Sequence, residues 1–363
     1  KNKSKNKYFK NNNTNNNYFA CFVGMGRQEN KYIREIIDYY SKLGVEKFIL
    51  ADNNLENTEK FSDVIQDHID NGLVDIKEIF GSDMGQSELY KDTYEKYRNQ
   101  CKWFLLFDLD EFLEVHFEKD KSLTLKEFLT NVIFNKCEAI LFNWVIYGDN
   151  ELIHYDNRSV VERFTEAYFE DRDNHFVKSI LRGGLNKTVF VPKKSNHVPE
   201  RGVTICDSKG SVLNSYNPFI HNPPIFDYGY LKHFTTKTAE EYCDKIGIDS
   251  SGIRLVDASG VSKNNLVNAD FITEYLYKNR KNPILQKMAT AGEGTLAERM
   301  IPLKGQIKAK TGTLSDISSI AGYLTAKKGK QYVFCIIIND PKSSNSDKKT
   351  LEDYLIREIY TKW

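Results

Sequence analysis

None of the chain's six cysteines falls in a Cys-x-x-Cys spacing, and only seven histidines accompany them. A zinc site therefore has no ligand framework to start from. Cys21, Cys101, Cys137, Cys206, Cys243 and Cys335 are scattered, and Cys21 and Cys335 lie in apolar runs, so we expect buried, reduced thiols of a cytoplasmic protein. An excess of one charge is also missing. Lys and Arg number 51 against 50 Asp and Glu, for a net charge of +1, and no basic patch is interleaved with aromatics, so no nucleic-acid partner is called for. No apolar run approaches the roughly 18 residues of a membrane helix, which leaves only peripheral attachment, at the inner face of a membrane. The chain opens at Lys1 with neither a methionine nor an apolar signal core. Residues 1–17 are read as a disordered Asn/Lys-rich arm, too poor in apolar surface to offset chain entropy, and the whole as a piece of something longer or a join.

What the chain does have is 40% hydrophobic and 13% aromatic residues over 363 positions. That is room for two cores, at roughly 100–200 residues per domain. The most informative stretch is Trp103-Phe104-Leu105-Leu106-Phe107, an apolar run that ends in Asp108-Leu109-Asp110-Glu111-Phe112. It reads as a strand covered on both faces, and ligands of parallel α/β sheets collect at the carboxyl ends of such strands. Two acids at i and i+2 on extended backbone point the same way, and such a pair suits a hard divalent cation that shares its positions with phosphates.

Upstream, the apolar run Tyr18–Met25 precedes a helical pattern through Ile33, Ile36, Ile37, Tyr40 and Leu43, closed by Gly44. A strand over Val45–Ala51 stops at Asp52-Asn53-Asn54. Strand, helix and strand at this spacing form a βαβ unit, and a helix over Phe61–Ile69 with a strand over Val74–Ile79 extends it. If the strands are parallel, the tips Glu29-Asn30, Asp52-Asn53 and Asp108/Asp110 share one rim. Asp52 with its asparagines also suits plain turn chemistry. Trp103 and Trp144, in apolar runs, are read as core.

The stretches RQENKYIREIIDYYSKLGVEKFILADNN (27–54), MGQSELY (84–90), WFLLFDLDEFL (103–113), VKSIL (177–181) and KHFTTKTAEEYCDKI (232–246) resemble, in order, the GT-A glycosyltransferases related to families two and ninety-two. The resemblance implies a Rossmann-like GT-A domain over residues 18–246 that moves a sugar from a nucleotide-sugar donor, a UDP-sugar above all, to a glycan or glycolipid acceptor with Mn2+ or Mg2+. It implies that Asp52, with Glu29, Asn30 and Asn53, faces the nucleoside, that Asp108 and Asp110 hold the metal, and that His233 returns to it. Lys237 or Arg182 would add positive charge. Glu111, Glu162, Glu166 and Asp227 are all available as the acceptor base, and their spacing selects none. His197 and His221 are weaker candidates than His233.

Past Gly247 the pattern changes. LVDASGVSKNN (255–265), a helix over Ala269–Tyr277, Gly294-Thr295-Leu296-Ala297 and Ile307-Lys308-Ala309-Lys310-Thr311-Gly312-Thr313-Leu314 resemble the C-terminal part of penicillin-binding D-alanyl-D-alanine carboxypeptidases. Strands over Ile317–Leu324 and Tyr332–Ile338 and a helix over Asp347–Tyr360 follow. The implied fold for residues 247–363 is an antiparallel sheet with flanking helices. Lys310, Thr311 and Gly312 would border its active site, as charge, hydroxyl and bare backbone. The Ser-x-x-Lys nucleophile is out of place at Ser4-Lys5-Asn6-Lys7 and Ser346-Asp347-Lys348-Lys349, and Ser262-Lys263-Asn264 lies in the wrong stretch for the second motif. Ser346 is read as a helix N-cap. No carboxypeptidase turnover is expected from this chain alone. No Pro/Gly/Ser linker marks residues 243–249, so the reading is a transferase joined directly to a carboxypeptidase-like tail.

Overall fold

Strand β1 (Tyr18–Gly26), helix α1 (Asn30–Leu43) and strand β2 (Lys47–Asp52) set the frame of the fold. The computed structural model describes residues 17–80, 85–118, 121–150, 152–185, 199, 202–215, 217, 219–235, 237–254 and 264–363. Most of the expected arm, Met84, His197, Thr236 and most of the 255–265 stretch lie outside these. Helix α1 buries Tyr32, Ile33, Ile36, Ile37 and Tyr40, one stripe at helical spacing, and Gly44 ends it at φ +107°, where a side chain would be strained.

Two further αβ steps follow: α2 (Phe61–Asp70) with β3 (Val74–Glu78), then α3 (Gln86–Tyr97) with β4 (Cys101–Leu106). These four strands run parallel in the order β3-β2-β1-β4. The rest of the first body is β5 (Glu111–Val115), α4 (Leu125–Leu129), β6 (Ala139–Tyr147), α5 (Val160–Arg163), β7 (Ala167–Tyr168), β8 (Val177–Arg182), β9 (Ile205–Cys206) and β10 (Gly229–His233). The sheet continues from β4 through β8, β6 and β10 to β5, with β8 antiparallel to both β4 and β6, so the class is mixed α/β. Strand β4 lies between β1 and β8, which is why Trp103, Phe104 and Leu105 are wholly buried.

Two expectations fail here. Cys21 is bonded to Cys101, and Cys137 to Cys206, leaving Cys243 and Cys335 as the free thiols. Sequence distance hid the first pair: 80 residues apart in the chain, they are brought side by side by the parallel pairing of β1 with β4. The argument from reduced thiols to the cytoplasm falls with them. Ser346 lies inside its helix, and the cap is Ser344, whose Oγ accepts the Asp347 N–H at 3.1 Å.

By contacts the chain divides into two bodies, residues 1–150 with 157–237 and residues 151–156 with 238–363. The second holds α6 (Ala239–Ile246), α7 (Ala269–Lys278), the antiparallel sheet β11 (Ile307–Thr313), β12 (Ile317–Thr325) and β13 (Gln331–Asn339), and α8 (Asn345–Lys362). Its core gathers Leu296, Met300, Leu303, Ile307, Ile320, Leu324, Phe334 and Ile356. Among the described residues of the whole chain, no helix is long and apolar enough to cross a membrane.

Candidate active site

Strand β4 ends at Leu106 and the chain turns before β5, so Asp108 and Asp110 sit on a turn instead of extended backbone. The i, i+2 argument therefore fails, and the two carboxylates meet different partners. Asp108 accepts from Gln86 Nε2 at 2.6 Å and from Lys178 Nζ at 2.5 Å. Asp110 lies 3.6 Å from His233 Nε2. Glu111 closes the turn, with Oε2 accepting the Asp108 N–H at 2.8 Å and Oε1 lying 3.3 Å from the same Lys178 ammonium.

The strands explain this gathering. β8 runs antiparallel to β4, so its beginning, with Lys178, lies beside the end of β4. His233, the last residue of β10, stands opposite Glu111 in the β10–β5 ladder. Leu109, between the two acids, is buried over β1, where Cβ atoms added to Gly24 and Gly26 would meet it at 3.0 and 2.4 Å. Two glycines in β1 thus leave the space that seats the acid turn.

The charges are tightly balanced. Burial works against ionised Asp110, but the hydrogen bond and charge of His233, with Lys237 and Lys178, outweigh it and hold the carboxyl at about 2. Burial lowers His233, and Asp110 and Glu111 more than restore it, so its pKa is raised. Lys178, only 3% exposed, is raised as well: Glu111 and Asp108 overcome the cost of burial. Glu111, fully enclosed, is pushed up by burial and by the two aspartates against the pull of Lys178.

The second rim segment is joined by side chains. Arg27 Nε donates to the Asn53 carbonyl at 2.8 Å, Asn54 Nδ2 to Asn30 Oδ1 at 2.9 Å, and the Gln28 N–H to Asn54 Oδ1 at 2.7 Å. Asp52 is fully buried, and its two oxygens accept the N–H groups of Asn54 at 2.9 Å and Phe61 at 2.7 Å, so it orders the loop and the start of α2. Lys237 lies 3.5 Å from Glu29 and 4.2 Å above the Tyr32 ring. Because Asp110 also feels its charge, Lys237 links the two groups.

Other candidates lie elsewhere. Arg182 donates to the carbonyls of Cys137 and Phe134 at 2.9 and 3.0 Å, at the far end of β8 from Lys178, so it adds no charge to the cluster. Glu162 caps α5 through the Ser159 N–H, Glu166 accepts from the Tyr168 hydroxyl, and Asp227 lies 3.6 Å from Lys209. Of the four base candidates, the structure brings Glu111 alone to Asp108 and Lys178. In the second body Lys310 is exposed on β11, its Nζ donating to the Thr311 carbonyl at 2.6 Å.

Sequence reasoning singles out neither Lys178 nor Gln86, and it places Trp144 in the core. The Trp144 ring instead lies 4.1 Å from His233 and 5.3 Å from Lys178 Nζ. Nothing local marks Lys178: Val177–Arg182 does not alternate, and the strand is buried along nearly its whole length.

The donor set can be tested against a divalent cation. Among the described residues, no three His, Cys, Asp or Glu side chains stand ready as a metal cage. Asp110 and His233 do offer oxygen and nitrogen donors 3.6 Å apart, and His233 Nδ1 is buried with no hydrogen-bond partner among the described residues. Asp108 is already engaged by Lys178 and Gln86. Two protein donors fit a Mg- or Mn-type ion that keeps waters and takes further ligands from phosphates.

Residues 16–247 match Glycosyltransferase family 92, and the chain belongs to that family. Residues 233–359 match the D-Ala-D-Ala carboxypeptidase 3 (S13) family. The chain is 37% identical over 112 residues to a D-alanyl-D-alanine carboxypeptidase of Actinomadura sp., covering 28% of this chain and 21% of that protein. It is 26% identical over 200 residues to a glycosyltransferase family 92 protein of Ricinus communis, covering 54% of this chain and 35% of that one. The chain thus spans between 21% and 35% of these two relatives. Among solved structures it is similar to penicillin binding protein 4 of Haemophilus influenzae, at 16% identity and a TM-score of 0.32 over 92% of this chain and 80% of that one. It is also similar to TarS of S. aureus, at 11% identity and a TM-score of 0.32 over 75% of each.

Proposed function

We propose that the first body is a GT-A-type glycosyltransferase that moves a sugar from a nucleotide-sugar donor, a UDP-sugar, to a glycan or glycolipid acceptor, with Mn2+ or Mg2+ as cofactor. The observation that carries this reading is the pairing of Asp110 with His233 beside the buried Lys178 bridge, at the end of a parallel strand. Family membership and the β3-β2-β1-β4 order support it. Asp110 and His233 would hold the cation, which when bound supplies positive charge to a departing diphosphate. Lys178 keeps a permanent positive charge there and fixes Asp108, and Lys237 adds a second cation at the rim. Asp52 orders the 52–61 loop, so that Asn53, Glu29 and Asn30 frame the nucleoside side. Glu111 is enclosed and engaged by Lys178, and the acceptor base is left unassigned.

The two disulfides favour an oxidising compartment over the cytoplasm. The carboxypeptidase-like tail is read as inactive alone, and covalent labelling of the chain by a fluorescent penicillin would overturn that. The transferase is tested by UDP release from a panel of UDP-sugars with Mn2+. Release is expected from the native chain and at least a hundredfold less from Asp110→Ala; equal release from both would defeat the assignment.

A further inference from the structure

A cavity of about 540 Å³ opens at the β5–β10 edge of the first body and takes no part in the acid cluster. In the β10–β5 ladder Glu111 stands opposite His233 and Glu114 opposite Tyr230. Each pair is separated from the other by three residues, an odd step, so Glu114 and Tyr230 face the opposite side of the sheet from Glu111 and His233.

Three rings wall this cavity. Phe169 and Phe226 lie 5.4 Å apart at 73°, Phe169 and Tyr230 5.8 Å at 74°, and Phe226 and Tyr230 6.3 Å at 86°. Each holds the others edge to face, a preferred arrangement of aromatic quadrupoles. Even so, Phe169 remains 45% exposed. An exposed ring locked by its neighbours is a ready surface for a ligand, since little side-chain freedom is left to lose. The polar groups beside it are Glu114, held by Lys232 at 2.6 Å, Asp227, 3.6 Å from Lys209, and His116, Lys121 and Ser122.

We infer that this cavity is a second ligand site, and that its ligand is a neutral saccharide. The volume falls within the roughly 300–1,000 Å³ typical of small-molecule sites. A pyranose has an apolar C–H face, which suits the Phe169 ring, and a rim of hydroxyls, which suits carboxylates and an imidazole as hydrogen-bond partners. A purely apolar ligand would leave these polar groups facing it, and because Glu114 is paired with Lys232 and Asp227 with Lys209, the wall's charges are balanced and favour a neutral polyhydroxyl ligand over an ion of either sign. The inference does not depend on the transferase reading, because binding is measured without turnover.

The experiment is saturation-transfer NMR on the full chain with lactose, maltose, cellobiose and chitobiose at millimolar concentration. Saturation of at least one disaccharide is expected in the native protein and in Asp110→Ala, with about a tenfold loss of affinity in Phe169→Ala and in Phe169→Leu, the second variant keeping the apolar volume without the ring. No transfer to any of the four, or transfer unchanged in both Phe169 variants, overturns the proposal. So does Phe169-dependent binding of the dye ANS with no disaccharide response, which would assign the cavity to an apolar ligand. Loss of transfer in Asp110→Ala with retention in Phe169→Ala would place the sugar at the acid cluster instead.

Discussion

The Lys178 ammonium lies 2.5 Å from the Asp108 carboxylate, with 3% of the lysine and 26% of the aspartate side chain exposed. Removing the cation takes from Asp108 and the enclosed Glu111 the positive charge they share. Breaking such a buried pair from one side costs about 3–5 kcal/mol. Lys178→Met should therefore lower the unfolding temperature by roughly 6–20 °C, at about 2–4 °C per kcal/mol for a body of this size. Adding Glu111→Gln should recover part of that loss. A Lys178→Met protein as stable as the native one would show that the bridge contributes nothing.

A methyl group at Gly26 would come within 2.4 Å of Leu109 Cδ1, so the acid turn has to shift in Gly26→Ala. Overpacking of this kind costs about 1–3 kcal/mol. Thermal unfolding should show that loss, and Leu109→Ala in the same chain should relieve part of it. If the double variant is no better than the sum of the two single ones, Leu109 and Gly26 are not coupled.

Thiol titration in denaturant without reductant should find two reactive groups among the six cysteines, since two bonds occupy four of them. Long closed loops make such bonds worth about 4 kcal/mol in the chain-entropy account. Reduction should lower the midpoint of urea unfolding accordingly; a titre of six would restore the reduced-thiol reading.

Asp75 is held below the usual carboxylate range: burial pushes it up, and the Lys47 ammonium at 2.7 Å with the Tyr97 hydroxyl pulls it down further. A depressed folded pKa gives stability that is present above the unfolded value and lost as pH falls through the folded one. The native chain should exceed Asp75→Asn in unfolding temperature at pH 6, and the gap should shrink below about pH 4. A gap of constant size down to pH 3 would contradict the linkage.

Much of the first body is legible in sequence, because its signals are local. The stripe from Tyr32 to Tyr40 with Gly44 marks α1, and the apolar runs mark β1, β2 and β4 within a few residues. The site is less so. Asp108 and Asp110 stand out as residues, but their turn does not, since it depends on Leu109 finding Gly24 and Gly26 across β1. Lys178 reaches Asp108 across 70 residues through an antiparallel strand that no local pattern announces. The disulfides are hidden for the same reason, each resting on strand neighbours far apart in the chain.

Calorimetric titration with UDP, with and without Mn2+, bears most directly on the role of the Asp110–His233 pair. The account predicts binding that needs the ion, is lost in both Asp110→Ala and His233→Ala, and is weakened about tenfold or more in Lys178→Met. UDP binding that is indifferent to Mn2+ and unchanged in Asp110→Ala would contradict it.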